Sequence, residues 1–599
     1  MAEKYINLKH LKFLLHDVYS IANLQQYDYY KDYDQEAIDM TLDMAKQIGD
    51  TYLFPFYTEM DKNKAYFKEG KVTVHESLKP AIQAIAEGGW ISAHDSYDDG
   101  GQQMPLALMN AGLFVFYAAN ANAAAYAFLT QGAANLIKTF ASKALKDAYV
   151  PKMYNGQWQG TMALTEPQAG SSLSDITSSA ELTEEGHDEI KGQKIYISGG
   201  DHEAVDNVVH LLLARIKGAP VGTKGISLFV VAKYREENGA FVSNDVTTAG
   251  LFGKMGQKGY VAAHLIMGES DNCRGYLVGK EHHGLSYMFQ MMNEARISTG
   301  MMAAATASAA YYAALQYAHE RPQGRHPSNK DPEQGQVLII EHADVKRMLL
   351  FQKSIVEGSA ALLIQCSLYA DQLNVASGEI KEQAYLMLEL LTPIAKSFPS
   401  EFGTHAVSMG MQCLGGAGYC DDFPLEQYYR DIRVNSIYEG TTAIHGMDLL
   451  GRKIMLQKGA AFKLFVQAIQ ADLKTAQTYD DIKPYADQLG QRLKALHELT
   501  MIQVKVAMNN KPEVFLADAS LYLEYFGLVT IAWQWIKMAN KAAEILAKDP
   551  TSKEAAFYQG KIATMQYYMA YELPKTLGLH ERLLSDDKLT LKLDPTYLD

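Results

Sequence analysis

Glu189-Ile-Lys-Gly-Gln-Lys-Ile-Tyr-Ile-Ser198 reads as a β-strand in a chain that is helical on either side of it. It has companions: Thr161-Met-Ala-Leu-Thr165, Asn207-Val-Val-His-Leu-Leu-Leu-Ala-Arg215, Ile226-Ser-Leu-Phe-Val-Val-Ala232 and the run from Val261 to Met267. These segments are short and evenly spaced, and glycine-rich turns separate them. No helix of crossover length lies between them. The pattern predicts a small antiparallel barrel or sandwich over residues 160–282.

N-terminal to this region the periodicity is helical. Leu8, Leu11, Leu14, Leu15 and Val18 recur at helical spacing in an arm over 1–36, which ends in the polar, tyrosine-rich Gln25 to Asp34. A helical domain over 37–159 follows, with helices expected around Ala37–Gly49, Ser77–Glu87 and Ala133–Tyr149. C-terminal to the strands, Leu285–Glu320, Leu338–Ala376, Ile380–Ala395 and Pro399–Cys413 predict a helical bundle over 283–458. Three to five more helices are expected in an extra region over 459–599. The class is therefore α+β, mostly α.

Composition narrows the function classes. A chain of 599 residues exceeds a single core, and 48% apolar with 21% charged residues is the balance of a soluble globular protein. The net charge of −14 argues against nucleic acid or an anionic membrane as the main partner. Cys273, Cys366, Cys413 and Cys420 are too scattered for a disulfide framework and fit a reducing cytoplasm. The charged start, Met1 to His10, lacks the apolar core of an export signal. Gly100–Ile137 and Ile297–Ala318 carry no charge, but their amides and small residues predict buried helices rather than membrane spans. There is no strand–G-x-G-x-x-G–helix unit, no Walker A sequence, no H-E-x-x-H and no G-x-S-x-G. His282-His283 is a lone pair in a turn, and no metal site is expected.

Several stretches carry residues suited to chemistry. Ser436-Ile-Tyr-Glu-Gly-Thr-Thr-Ala-Ile-His445 sets Glu439 beside glycine and two threonines. It reads either as a helix entrance with Thr441 or Thr442 as N-cap, or as a carboxylate placed to take a proton. Ala163-Leu-Thr-Glu-Pro-Gln-Ala-Gly-Ser-Ser172 is a turn dense in hydroxyls whose backbone N–H groups suit a carbonyl or phosphate, unless it is a turn only. In Lys194-Ile-Tyr-Ile-Ser-Gly-Gly200, Tyr196 and Ser198 share a face that could flank a planar ring or simply pack. Arg296 and the Glu320-Arg-Pro-Gln-Gly-Arg325 stretch bracket an uncharged helix, so their arginines need anionic partners, bound or internal. Gln412-Cys-Leu-Gly-Gly-Ala-Gly-Tyr419 is open enough for close ligand approach, or is a helix C-cap.

In this order, TEPQAGSS, IYISGG, KMGQKG, the Arg after MMNEA, ERPQGR, QCLGGAGY, YYRDIR and YEGTT resemble the acyl-CoA dehydrogenase family, from about Gln131 to Lys453. The C-terminal helices and EHADVKRMLLFQKSIVEGSAAL resemble its larger bacterial branch, which includes 3-methylmercaptopropionyl-CoA dehydrogenases. The resemblance implies FAD as cofactor, lying between the β domain and the bundle, with a second subunit completing its site. It implies that Met162, Leu164, Thr165, Gly170 and Ser171 contact the flavin and ribityl chain, with Tyr196 and Ser198 against the ring. Arg321 would bind the pyrophosphate, Gln412, Gly415 and Gly416 would approach the adenosine half, and Thr441 would bond FAD near the base. Ser171, Asn293, Arg296, Tyr438 and Gly440 would contact the acyl-CoA.

The resemblance further implies that Glu439 is the base removing the α-proton as the β-hydrogen leaves as hydride. Some relatives place the base one residue before Arg296, which is Ala295 here and cannot accept a proton. Glu294 lies about 100° around the helix. The sequence departs from the family pattern at Asn293, Gly259-Tyr-Val-Ala262, Gln323-Gly-Arg325, Ser172, Asp175, Ala443 and His445. The implied reaction is α,β-dehydrogenation of an acyl-CoA, with an electron-transfer flavoprotein as partner and a homo-oligomer, a dimer or dimer of dimers, as the assembly. An acyl-CoA oxidase and a DNA-associated alkylation-response flavoprotein are the competing readings. The acidic balance argues against the latter.

Overall fold

The Asp188–Ser198 strand belongs to a ring that closes on itself. It pairs with Arg274–Leu277, which pairs with Ile226–Ala232. That strand meets Asn207–Ile216, then Ser179–Leu182, which returns to Asp188–Ser198. The β region is thus a barrel, in a computed structural model that describes residues 4–329 and 331–599, the side chains of 290–292 excepted. Ala262–Met267 and Val246–Leu251 extend the ring beside Asp188–Ser198, and Trp158–Ala163 extends it beside Asn207–Ile216.

One expectation is corrected. Trp158–Ala163 and Ser179–Leu182 both run parallel to Asn207–Ile216, so the barrel is not wholly antiparallel. Segment 164–178 leads from the first of these strands to the second further along Asn207–Ile216, and the antiparallel Asp188–Ser198 strand carries the chain back, which is the crossover a parallel pair needs. Ser179–Leu182, Val246–Leu251 and Arg274–Leu277 are short and largely polar or small, so they gave no alternating signal.

Gly192 explains how one strand serves two sets of neighbours. Lys191 pairs with Ser179, and Gly192 pairs with Met267. At this change of partner Gly192 has φ +147°, and a Cβ there would sit 2.4 Å from Ser178 Oγ. Only glycine fits the bend. Val209, Leu211, Leu213, Ile226, Leu228 and Val230 are fully buried in a core with Ala133, Ile137, Met153 and Trp158.

The chain divides into two compact units. One comprises Met1–Asp39, Pro105–Phe114 and Arg296–Asp599, and the other Met40–Met104 and Val115–Ala295. In the first, helices Ala343–Val375 and Gly378–Leu414 pack with Ala519–Lys548, whose Trp533 and Trp535 are buried. Buried polar groups tie the N-terminal arm into this unit. Asp371 accepts from Leu106 N at 2.6 Å, Ala107 N at 3.0 Å and the Tyr30 hydroxyl at 3.0 Å. Lys561 Nζ lies 2.9 Å from both Glu357 Oε2 and His10 Nδ1. The arm, the bundle and the extra C-terminal helices therefore share one core.

The Leu106–Phe140 helix, which takes up most of the uncharged Gly100–Ile137 run and ends beyond it with Lys138, is long and apolar enough to cross a membrane, but 94% of its most apolar window is buried in the protein. It breaks at Asn120, where the backbone is extended at φ −163°. Asn120 Oδ1 accepts from Ala123 N at 3.2 Å, so the amide caps the second half of the helix.

Candidate active site

The bundle presents Glu439 on a strained turn. The Arg433–Ser436 turn precedes it and the short helix Thr442–Asp448 follows. Between them Glu439 has φ +55° and Gly440 φ +88°, two left-handed residues in succession. A glutamate there carries strain of about 1–3 kcal/mol, so its surroundings must hold it. Two buried basic side chains do so. Lys396 Nζ donates to Gly440 O at 2.7 Å, and His445 Nε2 donates to Glu439 O at 3.1 Å. Gly440 has no Cβ to obstruct the second bond, since one would lie 3.0 Å from His445 Nε2.

The Glu439 carboxylate itself is half-buried and has no hydrogen bond or ion pair among the described residues. Burial raises its pKa above the usual glutamate range, against the opposing pull of Lys396 and Arg296. Lys396 is fully buried, and burial brings it down to about 8 despite the attraction of Glu439 and Glu401. Burial, with Arg296 and Lys396 nearby, holds His445 at about 3. The imidazole is therefore neutral, and its Nε2 carries the proton given to Glu439 O.

Other residues singled out in the sequence surround this turn. Thr441 occupies the N-cap position, but its side chain makes no capping bond. Thr442 Oγ1 donates to Glu401. Tyr438 donates its hydroxyl to Asn435 Oδ1 at 2.8 Å. Arg296 is buried and pairs with Asp448 Oδ2 at 3.1 Å, an internal carboxylate partner. Elsewhere in the same unit Arg321 is exposed, and its guanidinium has no partner among the described residues. Gln412, Gly415 and Gly416 are exposed, and a Cβ at either glycine would have nothing within 4 Å.

In the other unit, Glu166 organises the turn after the Trp158–Ala163 strand. Its Oε1 accepts from Lys194 Nζ at 2.7 Å and Ser178 N at 3.1 Å. Its Oε2 accepts from Thr177 N at 2.6 Å, Thr177 Oγ1 at 2.9 Å and Gln168 Nε2 at 2.8 Å. Burial opposes this charge, yet Lys194 and these donors outweigh it and hold Glu166 at about 2. The turn is fixed while Gly170 and Ser171 stay exposed and Met162, Leu164 and Thr165 are half-buried. Tyr196 has φ +59° at a bulge opposite Ala263–Leu265. The bulge turns Lys194 inward and leaves Tyr196 59% exposed, its ring 4.2 Å from that of Phe252 and tilted 40° to it, with Ser198 half-buried. Asn293 is half-buried, and Glu294, exposed in this unit, feels the charges of His94, Asp95 and Lys138.

Within the first unit, an exposed arginine without a partner among the described residues and an open glycine turn suit an anionic phosphate group. Comparison with known proteins agrees. Residues 35–157 match the acyl-CoA dehydrogenase N-terminal domain, 282–454 the acyl-CoA dehydrogenase C-terminal domain, and 465–594 the acetyl-CoA dehydrogenase C-terminal-like family. The 3-methylmercaptopropionyl-CoA dehydrogenase of Ruegeria pomeroyi is 35% identical over 90% of this chain and 91% of its own. The chain belongs to the acyl-CoA dehydrogenase family. Members are FAD-dependent oxidoreductases, and this acyl-CoA dehydrogenase is one of them. A butyryl-CoA dehydrogenase of Syntrophomonas wolfei is 33% identical over 96% of both chains. The crystal structure of an acyl-CoA dehydrogenase complexed with FAD from Bacillus anthracis, 18% identical, has the same fold, with a TM-score of 0.74 over 96% of this chain and 91% of that one.

Sequence reasoning missed the acyl-CoA dehydrogenase's supporting groups. Lys396 had a signal: a lone charge inside the apolar helical run Leu390-Leu-Thr-Pro-Ile-Ala-Lys-Ser-Phe398. Glu166 had none, because its partners come from a strand and a loop.

Proposed function

We propose that this enzyme oxidises an acyl-CoA thioester to the trans-2-enoyl-CoA, with Glu439 as the base that takes the α-proton. The observation that carries the reading is a half-buried carboxylate, raised in pKa and without a partner, on a turn held from behind. The Glu439 backbone N–H, also unpartnered among the described residues, would donate to the thioester carbonyl and stabilise the developing enolate. One carboxylate oxygen then receives the α-proton. FAD, when bound, supplies the acceptor for the β-hydride. Met162, Leu164, Thr165, Gly170, Ser171, Tyr196 and Ser198 would hold its ring and ribityl chain, Arg321 its pyrophosphate, and Gln412, Gly415 and Gly416 its adenosine half. Thr441 keeps a free hydroxyl for the same ligand. Ser171, Asn293, Tyr438 and Gly440 would line the thioester path. Arg296, paired with Asp448, would act on the CoA side from within.

We further propose a short unbranched acyl group, because the names of two relatives carry butyryl and 3-methylmercaptopropionyl chains. An electron-transfer flavoprotein as acceptor, a homo-oligomeric assembly, a cytoplasmic site and a place in β-oxidation complete the reading. The test is anaerobic bleaching of the FAD-loaded enzyme by a panel of acyl-CoAs. Wild type should bleach fastest with short linear chains. Glu439→Gln should bind FAD and substrate yet reduce at least about 10²-fold more slowly. Full-rate bleaching of Glu439→Gln would remove Glu439 from the role.

A further inference from the structure

We propose that Lys396 and His445 are positioning residues for Glu439, clamping the two carbonyls of the turn that presents it. The proposal rests on Glu439 being the base. Glu439 and Gly440 are successive left-handed residues; glycine adopts this conformation freely, but at Glu439 it costs about 1–3 kcal/mol that the surroundings must offset. Each of their carbonyl oxygens accepts from one of these side chains, at 3.1 Å from His445 and 2.7 Å from Lys396. The two donors come from opposite sides of the turn in sequence, one from the long Gly378–Leu414 helix and one from the helix that follows. Locking both carbonyls fixes the peptide plane between Glu439 and Gly440, and with it the direction of the Glu439 Cα–Cβ bond.

Stability does not explain Lys396. Its ammonium is fully buried and has no carboxylate within ion-pair distance among the described residues. A buried charge without a paired partner costs several kcal/mol, and an apolar side chain of the same length would be cheaper. What the ammonium supplies instead is a charge-assisted bond to Gly440 O and a positive potential at the Glu439 carboxylate. His445 is suited to its half of the clamp because it is neutral, so Nε2 donates to Glu439 O without adding a second buried charge. A displacement of about 1 Å in a catalytic group costs on the order of 10²-fold in rate, which sets the scale of what the clamp protects.

The test uses the FAD-loaded full-length enzyme and measures anaerobic flavin reduction, substrate affinity, FAD content and melting temperature together. Lys396→Met should slow reduction about 10–100-fold at unchanged FAD content and substrate affinity, with melting unchanged or raised. Arg296 and Lys396 are the cations whose fields reach Glu439, and Glu401, His445 and Asp448 are the other titratable groups of this turn's surroundings. Removing Lys396 should therefore also move the acid limb of the reduction rate to higher pH. His445→Leu should slow reduction at least about 10-fold, while His445→Gln, whose amide can donate to the same carbonyl, should restore most of it. Lys396→Met added to Glu439→Gln should cause no further loss. Full-rate reduction in both Lys396→Met and His445→Leu overturns the clamp, as does loss of FAD or melting temperature in step with rate. Full-rate reduction in Glu439→Gln overturns the base assignment instead, whatever the Lys396 variant does.

Discussion

Glu166 and Glu439 each stand near a buried lysine, and the two are treated in opposite ways. In the barrel, Lys194 bonds the Glu166 carboxylate directly, and four backbone or side-chain groups of Thr177, Ser178 and Gln168 satisfy the rest of it. In the bundle, Lys396 bonds the carbonyl of Gly440 and leaves the Glu439 carboxylate without a partner. The first is held at about 2 and the second is raised. A carboxylate whose lone pairs are all engaged is an anchor, whereas one whose backbone is engaged and whose oxygens are free is poised to take a proton.

Removing each carboxylate separates the two roles most sharply. Glu439→Gln should lower the rate of flavin reduction by about 10²–10⁴-fold with little change in unfolding free energy, measured by stopped-flow reduction and urea denaturation. Glu166→Ala should do the reverse. It strands the buried Lys194 and frees the donors of the turn, costing about 3–5 kcal/mol in urea denaturation, with FAD affinity falling as the 165–172 turn loosens. Loss of rate without loss of stability in Glu166→Ala would break the contrast.

Acidification provides a subtler test. The folded pKa of Glu166 is depressed, so its contribution to stability is complete above the unfolded value near 4.5 and disappears as pH falls toward 2. Glu439 has a raised folded pKa, so its protonation relieves a buried charge and adds stability as pH falls, while activity is lost. On lowering the pH, flavin reduction should therefore fail well before the barrel unfolds. The smallest effect is expected at Thr441. Its side chain makes no capping bond, so Thr441→Ala should cost less than the typical cap loss of about 1 kcal/mol, while weakening FAD binding in a flavin titration.

Much of this was legible before any coordinates. Repeating patterns are local, so the helix–barrel–helix order and the barrel's main strands followed from spacing, and the motif order pointed to the family. The uncharged Gly100–Ile137 run was read as a buried helix, and the Leu106–Phe140 helix that covers most of it is buried. Chemical type is also local: a carboxylate between tyrosine and glycine at 439 was a candidate base on sight. Only the tertiary structure decided how each charge is used. Lys396 meets Gly440 across 44 residues, Lys194 meets Glu166 across 28, and Arg296 meets Asp448 across 152. Backbone strain settled the remainder, since left-handed Tyr196 and Glu439 defy the preferences of their residue types, and at Glu439 Lys396 and His445 bond the carbonyls of the turn. A sequence states which groups are present, and packing determines which of their atoms are left free to react.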